Sequence, residues 1–514
     1  MGIKLFAAID VGSYELNLKI FEFSSANMMR EVDFVRYRLD LGTETFAHGK
    51  LSTEKMNELC RILKEFSSIM KSYGITVYQA YGTSAIRETK NTQILIDQIE
   101  QRTGIRIEVL SNSEQRFLDY KSIASKGRDF DKIIEKGTAI VDIGGGSIQI
   151  SLFDKDTLVA TQNMKLGVLR LQERLLLLSA KPSKYEDLLN EMIESQLSVF
   201  EKLYLKDRNI ENVIIVDDYI SPLLQNKKVS KNNAGYIEKE QYEALLEKMK
   251  NDSSDWFKRE YGIAEENVLA FYVSTILIRK AVESMNARLI WAPGVTLCDG
   301  IAYEYGEKKK LLSCNHDFEE DIVACAHNIS KRFMGNKKRS ETLEKIALTI
   351  FDCLKSIHGL NKRDRLLLRI SAILHDCGKY ISLYNLGVCS YDIIMATEII
   401  GLSHEEREIV ANVVKYNHLE YSYYEQMAKD HYINADTYMR ITKLTAILRA
   451  ANGLDRSHKQ KFTDIHINMV DNQMIINVYT DEDITLEKGL FGNRADFFEE
   501  VFSLRPVIRQ KKKL

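Results

Sequence analysis

The stretch from Ala139 to Phe153 constrains this chain more than any other. An apolar run ends in Asp142, the turn residues Gly144, Gly145, Gly146 and Ser147 follow, and a second alternating apolar run leaves. That pattern predicts strand, tight turn, strand. Glycine tolerates positive φ and lets a ligand reach the bare backbone. Three in a row after a buried strand suit either a phosphate-cradling turn or a plain hairpin. Asp142 sits where a carboxylate could hold a hydrated Mg²⁺ beside such phosphates. The run from Ala7 to Phe21 repeats the grammar: apolar strand, Asp10, the turn Gly12-Ser13, then alternating apolar residues. Two such units predict a duplicated α/β domain whose turns face each other across a cleft.

With 514 residues the chain has material for several domains and sizeable cores. A net charge of −2 gives no global pull toward nucleic acid or membrane, so neither is expected as a partner, and a bound polyanion would need a local basic groove. The seven cysteines are scattered without a Cys-x-x-Cys, which fits reduced thiols rather than a disulfide framework or zinc ribbon. An apolar strand begins almost at the first residue and no run approaches a membrane span, so a cytoplasmic location is expected.

Three further stretches stand in order behind the two turns: Gly82-Thr83-Ser84-Ala85-Ile86-Arg87, then Ser111-Asn112-Ser113-Glu114-Gln115, then Lys165 to Glu173 around Gly167. Together with the paired turns they resemble the actin, sugar kinase and Hsp70 superfamily. More narrowly they resemble the exopolyphosphatase and guanosine pentaphosphate phosphohydrolase (Ppx/GppA) family, over nearly the whole chain. The resemblance implies two actin-like, ribonuclease H-like lobes. It also implies Mg²⁺-dependent release of terminal phosphate from inorganic polyphosphate or guanosine pentaphosphate. In that scheme Gly12, Ser13, Gly144, Gly145, Gly146 and Ser147 bind phosphate, and Asp142 with Asp10 anchors the metal. Arg87 would clamp a phosphate oxygen with its fork, although its position alone favours a surface salt bridge to a neighbouring carboxylate. The family pattern Ser-Gly-x-Glu-Glu-Ala aligns on Ser111, so Glu114 matches the first glutamate and Gln115 the second. The best register gives the water-activating role to the second, and an amide can orient water but cannot take its proton. Glu114 is then the candidate base. Tyr14-Glu15 after the first turn and Asp217-Asp218-Tyr219 after a second-lobe strand also depart from the family. They motivate an alternative, a catalytically degenerate member that binds a phosphate-rich ligand as a sensor or regulator.

The expected domains are an N-terminal lobe over 1–125, a second lobe over 126–308, a helical HD-like domain over 312–458 and a small C-terminal element over 459–514. In the first lobe, Met56, Leu59, Leu63, Phe66 and Met70 recur at helical spacing and predict core packing. Lys227–Asn233 reads as a surface loop. All histidines but His48 lie at or after His316, where long amphipathic helices begin. His375-Asp376 resembles the metal-binding pair of HD-type phosphohydrolases, with Asp455 as a possible closing carboxylate. Arg339-Ser340 and Cys389-Ser390 stand where further histidines are expected, so the domain is read as structural or as part of a substrate channel. The runs Ile465–Val470 and Met474–Tyr479 predict a hairpin turning at Asp471-Asn472. The basic end from Arg509 reads as a solvated tail or a polyanion contact. Family members often pair through the helical domain, so a homodimer is expected.

Overall fold

The structure, a computed structural model, describes residues 4–24, 27–179, 181–206, 208–225, 235–251, 268–313, 316–431, 433–462 and 465–511. The loop expected at Lys227–Asn233 lies outside them. The chain divides into two compact units, Met1–Phe318 and Glu319–Leu514.

The first unit carries two sheets of matching design. In one, β1 (Lys4–Val11), β2 (Glu15–Ser24), β3 (Met28–Arg38), β4 (Tyr78–Gly82) and β5 (Glu108–Val109) lie in the order β3-β2-β1-β4-β5. The other holds β6 (Thr138–Ile143), β7 (Ile148–Asp154), β8 (Thr157–Met164), β9 (Asn212–Asp217), β10 (Tyr236–Glu238) and β11 (Leu289–Trp291), in the order β10-β11-β9-β6-β7-β8. Each begins as an antiparallel three-strand meander whose first strand then takes a parallel neighbour, β4 beside β1 and β9 beside β6. Such central strands are covered on both faces, which is why they read as nearly continuous apolar runs. The duplicated lobes expected from the two turns are present.

The helix Thr53–Ser72 starts at Ser52, whose hydroxyl accepts from the Lys55 amide, and it buries Met56, Leu59, Leu63, Phe66 and Met70 as the spacing predicted. It closes one face of the first sheet with Ile9, Leu16 and Leu18. The opposite face is covered late in the chain. The helix Leu297–Lys308 returns to pack Leu297, Ile301 and Ala302 against Phe6, Ala8, Phe21 and Leu118. Lys19 on β2, almost wholly buried, bonds Asp299 of that helix at 2.9 Å. The helix Asn112–Ala124 lies in the same layer and carries the Glu114-Gln115 segment.

The second unit is mostly helical, with Lys337–Cys353, Lys362–Leu374, His404–His418 and Ala435–Leu454 among its longer helices. It ends in a three-stranded sheet of β12 (Ile465–Val470), β13 (Gln473–Tyr479) and β14 (Arg505–Lys511). The expected hairpin is β12–β13. The expected tail is corrected as far as Lys511: residues 505–511 form β14, parallel to β13, after the crossover helix Gly492–Phe502. The basic side chains disguised the strand, because an edge strand with one exposed row tolerates charge and is protected by it. No helix among the described residues is long and apolar enough to cross a membrane.

Candidate active site

The two Asp-ended strands place their turns in equivalent registers. Asp10 pairs with Asn17 across β1–β2, and Asp142 pairs with Gln149 across β6–β7. Each turn is closed by the amide of its first glycine: Gly12 N–H donates to the Glu15 carbonyl and Gly144 N–H to the Ser147 carbonyl, both at 2.9 Å. The turns meet. A methyl group on Gly145 would lie 3.3 Å from the Ser13 Cβ and 3.0 Å from a Leu169 methyl. None of Gly12, Gly144, Gly145 or Gly146 has positive φ. At Gly12, Gly145 and Gly146 neighbouring groups come within 2.7–3.0 Å of an added methyl, so close approach rather than a left-handed backbone favours glycine there. Gly167 shows the same constraint from behind, since a methyl there would lie 2.2 Å from the Gly146 carbonyl carbon and 2.3 Å from the Gly145 oxygen. The backing holds the turn: Val168 N–H donates to Gly144 O and Arg170 N–H to Gly145 O, both at 3.1 Å.

Ser13 ties this pair of turns to the Arg87 segment. Its hydroxyl lies 2.7 Å from the Ser84 hydroxyl and accepts from the Ala85 amide at 3.2 Å. Arg87, half-buried, donates to the Leu110 carbonyl at 2.8 Å and reaches Gln115 Oε1 and Asn112 Oδ1 at 3.4 Å. Arg87 and Gln115 therefore come together, as the sequence suggested. Glu114 is placed differently. Its carboxylate accepts from the Ser111 amide at 3.0 Å while Ser111 Oγ accepts from the Glu114 amide, a capping box that starts the helix. The expected base is thus engaged as a helix cap, and the amide of Gln115 is the group beside Arg87.

Two arginines missed in the sequence complete the cluster. Arg116 projects from the same helix to the second lobe's turn, its side chain 3 % exposed. Nη1 contacts Asp142 and lies 3.7 Å from Asp119, and Nη2 donates to Ser147 Oγ at 3.1 Å. Arg170 donates through Nε to the Gly146 carbonyl at 2.9 Å and through Nη2 to Glu88 at 3.1 Å, so it links the two lobes. The signal for Arg116 was legible in principle: it occupies the alanine position of the pattern aligned on Ser111.

Acidic groups surround the first turn. Burial, with the Glu15 charge adding, raises the Asp10 carboxyl to about 7 against a hydrogen bond from Asn17. Its Oδ1 has no hydrogen-bond partner among the described residues. Glu15, the extra anion beside the turn, is also raised by burial, and Arg36 at 3.1 Å and Arg38 at 3.6 Å hold it. Asp217 caps the turn after β9 by accepting from the amides of Tyr219, Ile220 and Ser221. Tyr14 and Tyr219 meet ring to ring at 5.6 Å.

Comparison with known proteins gives the family and the fold. The model of the Ppx/GppA phosphatase family matches residues 24–309, and that of Ppx/GppA phosphatase domain III matches residues 323–494. The chain belongs to the Ppx/GppA phosphatase family. It is 20 % identical over 501 residues to a guanosine-5'-triphosphate,3'-diphosphate pyrophosphatase of Photobacterium profundum, covering 92 % of this chain and 91 % of that one. It is 26 % identical over 192 residues to exopolyphosphatase 1 of Mycobacterium leprae, covering 37 % of this chain and 55 % of that protein. The crystal structure of an exopolyphosphatase from Cytophaga hutchinsonii superposes with a TM-score of 0.51 at 18 % identity, covering 60 % of this chain and all of that one. The fold is thus the actin-like fold of Ppx/GppA proteins.

A metal held jointly by Asp10 and Asp142 does not fit the residues of this Ppx/GppA member as they stand. Asp142 is paired with Arg116, whose positive charge stands where the ion would have to bind. The second unit repeats the pattern. Arg339, nearly buried, lies 3.4 Å from both Asp376 and Asp455 and donates to Asn452 at 2.9 Å. Lys379 adds a contact to Asp376 at 3.0 Å. Burial pushes His375 down to about 3 and His418 to about 4, so both rings stay neutral. Ser390, where a histidine was expected, accepts from the Gly378 amide at 3.0 Å.

Proposed function

We propose that the chain hydrolyses a phosphoanhydride, releasing terminal phosphate from inorganic polyphosphate or guanosine pentaphosphate. The meeting of the two closed turns, Gly12-Ser13 against Gly144–Ser147, carries this reading, because such turns present backbone N–H groups to an anion. Arg87, Arg116 and Arg170 bring three guanidinium groups to the turns and their flanking segments. Positioning and charge neutralisation of that kind supply most of the catalysis of phosphoryl transfer. In this reading Gln115, held beside Arg87, orients the attacking water. The expected Mg²⁺ arrives on the phosphate chain, since Mg²⁺ commonly binds through substrate phosphates and retained waters. Guanosine pentaphosphate and polyphosphate share the terminal phosphoanhydride, and the relatives' names include both activities.

A second reading, a non-catalytic binder of phosphate-rich ligands, is favoured by one observation: Glu114 is spent on the Ser111 cap and Gln115 cannot accept a proton. Phosphate release from long-chain polyphosphate and from guanosine pentaphosphate, wild type beside Arg87→Ala and Gln115→Glu, decides between them. Release by the wild type that collapses in Arg87→Ala supports the hydrolase. No release by the wild type, with polyphosphate retained on a filter, selects the binder, and turnover gained in Gln115→Glu would strengthen that outcome. We also propose a homodimer formed through the second unit, where Tyr380, Ile381, Leu383 and Tyr384 stand exposed on one short segment. A monomeric mass by light scattering overturns it.

A further inference from the structure

We propose that the Arg116 guanidinium is the resident cation of the Asp142 turn, standing where a protein-held divalent ion would otherwise sit, so that the cleft takes a phosphate chain without a metal of its own. The inference rests on the phosphate-site reading above and goes beyond it to the charge that serves the site. One guanidinium nitrogen is on Asp142, and the other donates to Ser147 Oγ at 3.1 Å within the same turn. The guanidinium head stands beside the glycine turn, 3.6 Å from where a methyl on Gly144 would lie, an ordinary contact distance. A Mg²⁺ ion needs oxygen ligands at about 2.0–2.1 Å in near-octahedral array. Such an ion on Asp142 would sit against a buried positive charge in a medium that screens poorly. The guanidinium cannot discharge to make room, because it keeps its proton at any working pH. Its fork also matches the geometry of phosphate oxygens as well as it matches a carboxylate.

The sequence context points the same way. Aligned on Ser111, Arg116 stands at the alanine of the pattern Ser-Gly-x-Glu-Glu-Ala that the segment resembles. The second unit shows an independent instance of the device, with Arg339 between Asp376 and Asp455 where a metal-binding histidine was expected.

The test is Mn²⁺ binding to the full-length protein without substrate, followed by electron paramagnetic resonance, in wild type, Arg116→Ala and Asp142→Asn. Arg116→Gln, which keeps the length and a hydrogen-bonding head, serves as a second variant should the alanine form fold poorly. The expected result is no site in the wild type and one in the Arg116 variants. That site should bind Mn²⁺ at least roughly tenfold more tightly and disappear again when Asp142→Asn is added. A single Mn²⁺ bound by the wild type and lost in Asp142→Asn overturns the proposal. Arg116 variants that fold and stay as blank as the wild type overturn it as well, because the guanidinium would then not be what excludes the ion. Phosphate release plays no part in this readout, so a failure of the hydrolase reading leaves the metal result standing.

Discussion

Removing Arg339 should destabilise the second unit by about 3 kcal/mol. The guanidinium lies 3.4 Å from two buried carboxylates and bonds Asn452 at 2.9 Å, and alanine would strip all three contacts at once. Breaking a buried ion pair by deleting one partner costs about 3–5 kcal/mol, because the remaining charge is left unpaired in a poor solvent. The lower end applies here, since both carboxylates keep one partner. Lys379 stays 3.0 Å from Asp376, and the Gln460 amide still donates to Asp455 at 2.9 Å. For a unit of this size the loss converts to a fall in melting temperature of roughly 6–12 °C. With two compact units in the chain, a single global transition is the wrong observable. Hydrogen exchange across the helices Lys337–Cys353 and Ala435–Leu454 reports the second unit directly, and exchange there should quicken while the β6–β7 hairpin keeps its protection. Arg339→Lys, which keeps the charge but not the fork, should recover part of the loss. A loss in Arg339→Ala below about 1 kcal/mol, the scale of an exposed pair, would refute the assignment of this guanidinium as the counter-ion of the two carboxylates.

The second unit should also be acid-labile. His375 takes up its proton only near 3 and His418 near 4, whereas in the unfolded chain both do so near 6.5, so stability is complete above that value and falls as pH drops from about 6.5 toward 4. His375 alone accounts for a loss of about 2 kcal/mol by pH 5, and urea unfolding that is flat between pH 7 and pH 5 would contradict it. Gly167→Ala should displace the Gly144–Ser147 turn, because its methyl meets backbone atoms that cannot swing aside. Polyphosphate retention on a filter should fall at least tenfold, by the usual sensitivity of ligand sites to small displacements, and unchanged retention would show that the turn does not hold the ligand. Ser111→Ala should cost about 1 kcal/mol through loss of the capping box, read as a shifted urea midpoint at constant slope.

Much of the fold was legible because its signals are short-range. Alternating and continuous apolar runs marked β1, β2, β6 and β7 within a residue or two, and the helical stripe from Met56 to Met70 is buried as spaced. The strand β14 was hidden by its charges, since edge strands and solvated tails share a composition. At the site, Arg87 and Gln115 were brought together, and the two Gly-containing turns do face each other. Glu114 was read as the candidate base, while Ser111, three residues earlier, already spelled a capping box. Positive φ does not occur in the glycine triplet; close approach of Ser13, Leu169 and Phe46 crowds Gly145 and Gly146.

The sequence by itself determined the duplicated lobes, the turns closing each Asp-ended strand and the family, because strand alternation and turn chemistry act between near neighbours. What each carboxylate is paired with was decided only in three dimensions. Asp142 meets Arg116 from a helix of the other lobe, and Asp455 meets Arg339 from far earlier in the chain. The charge of a buried group is settled by whatever the folded chain brings within a few ångströms of it, and no local pattern records that distance.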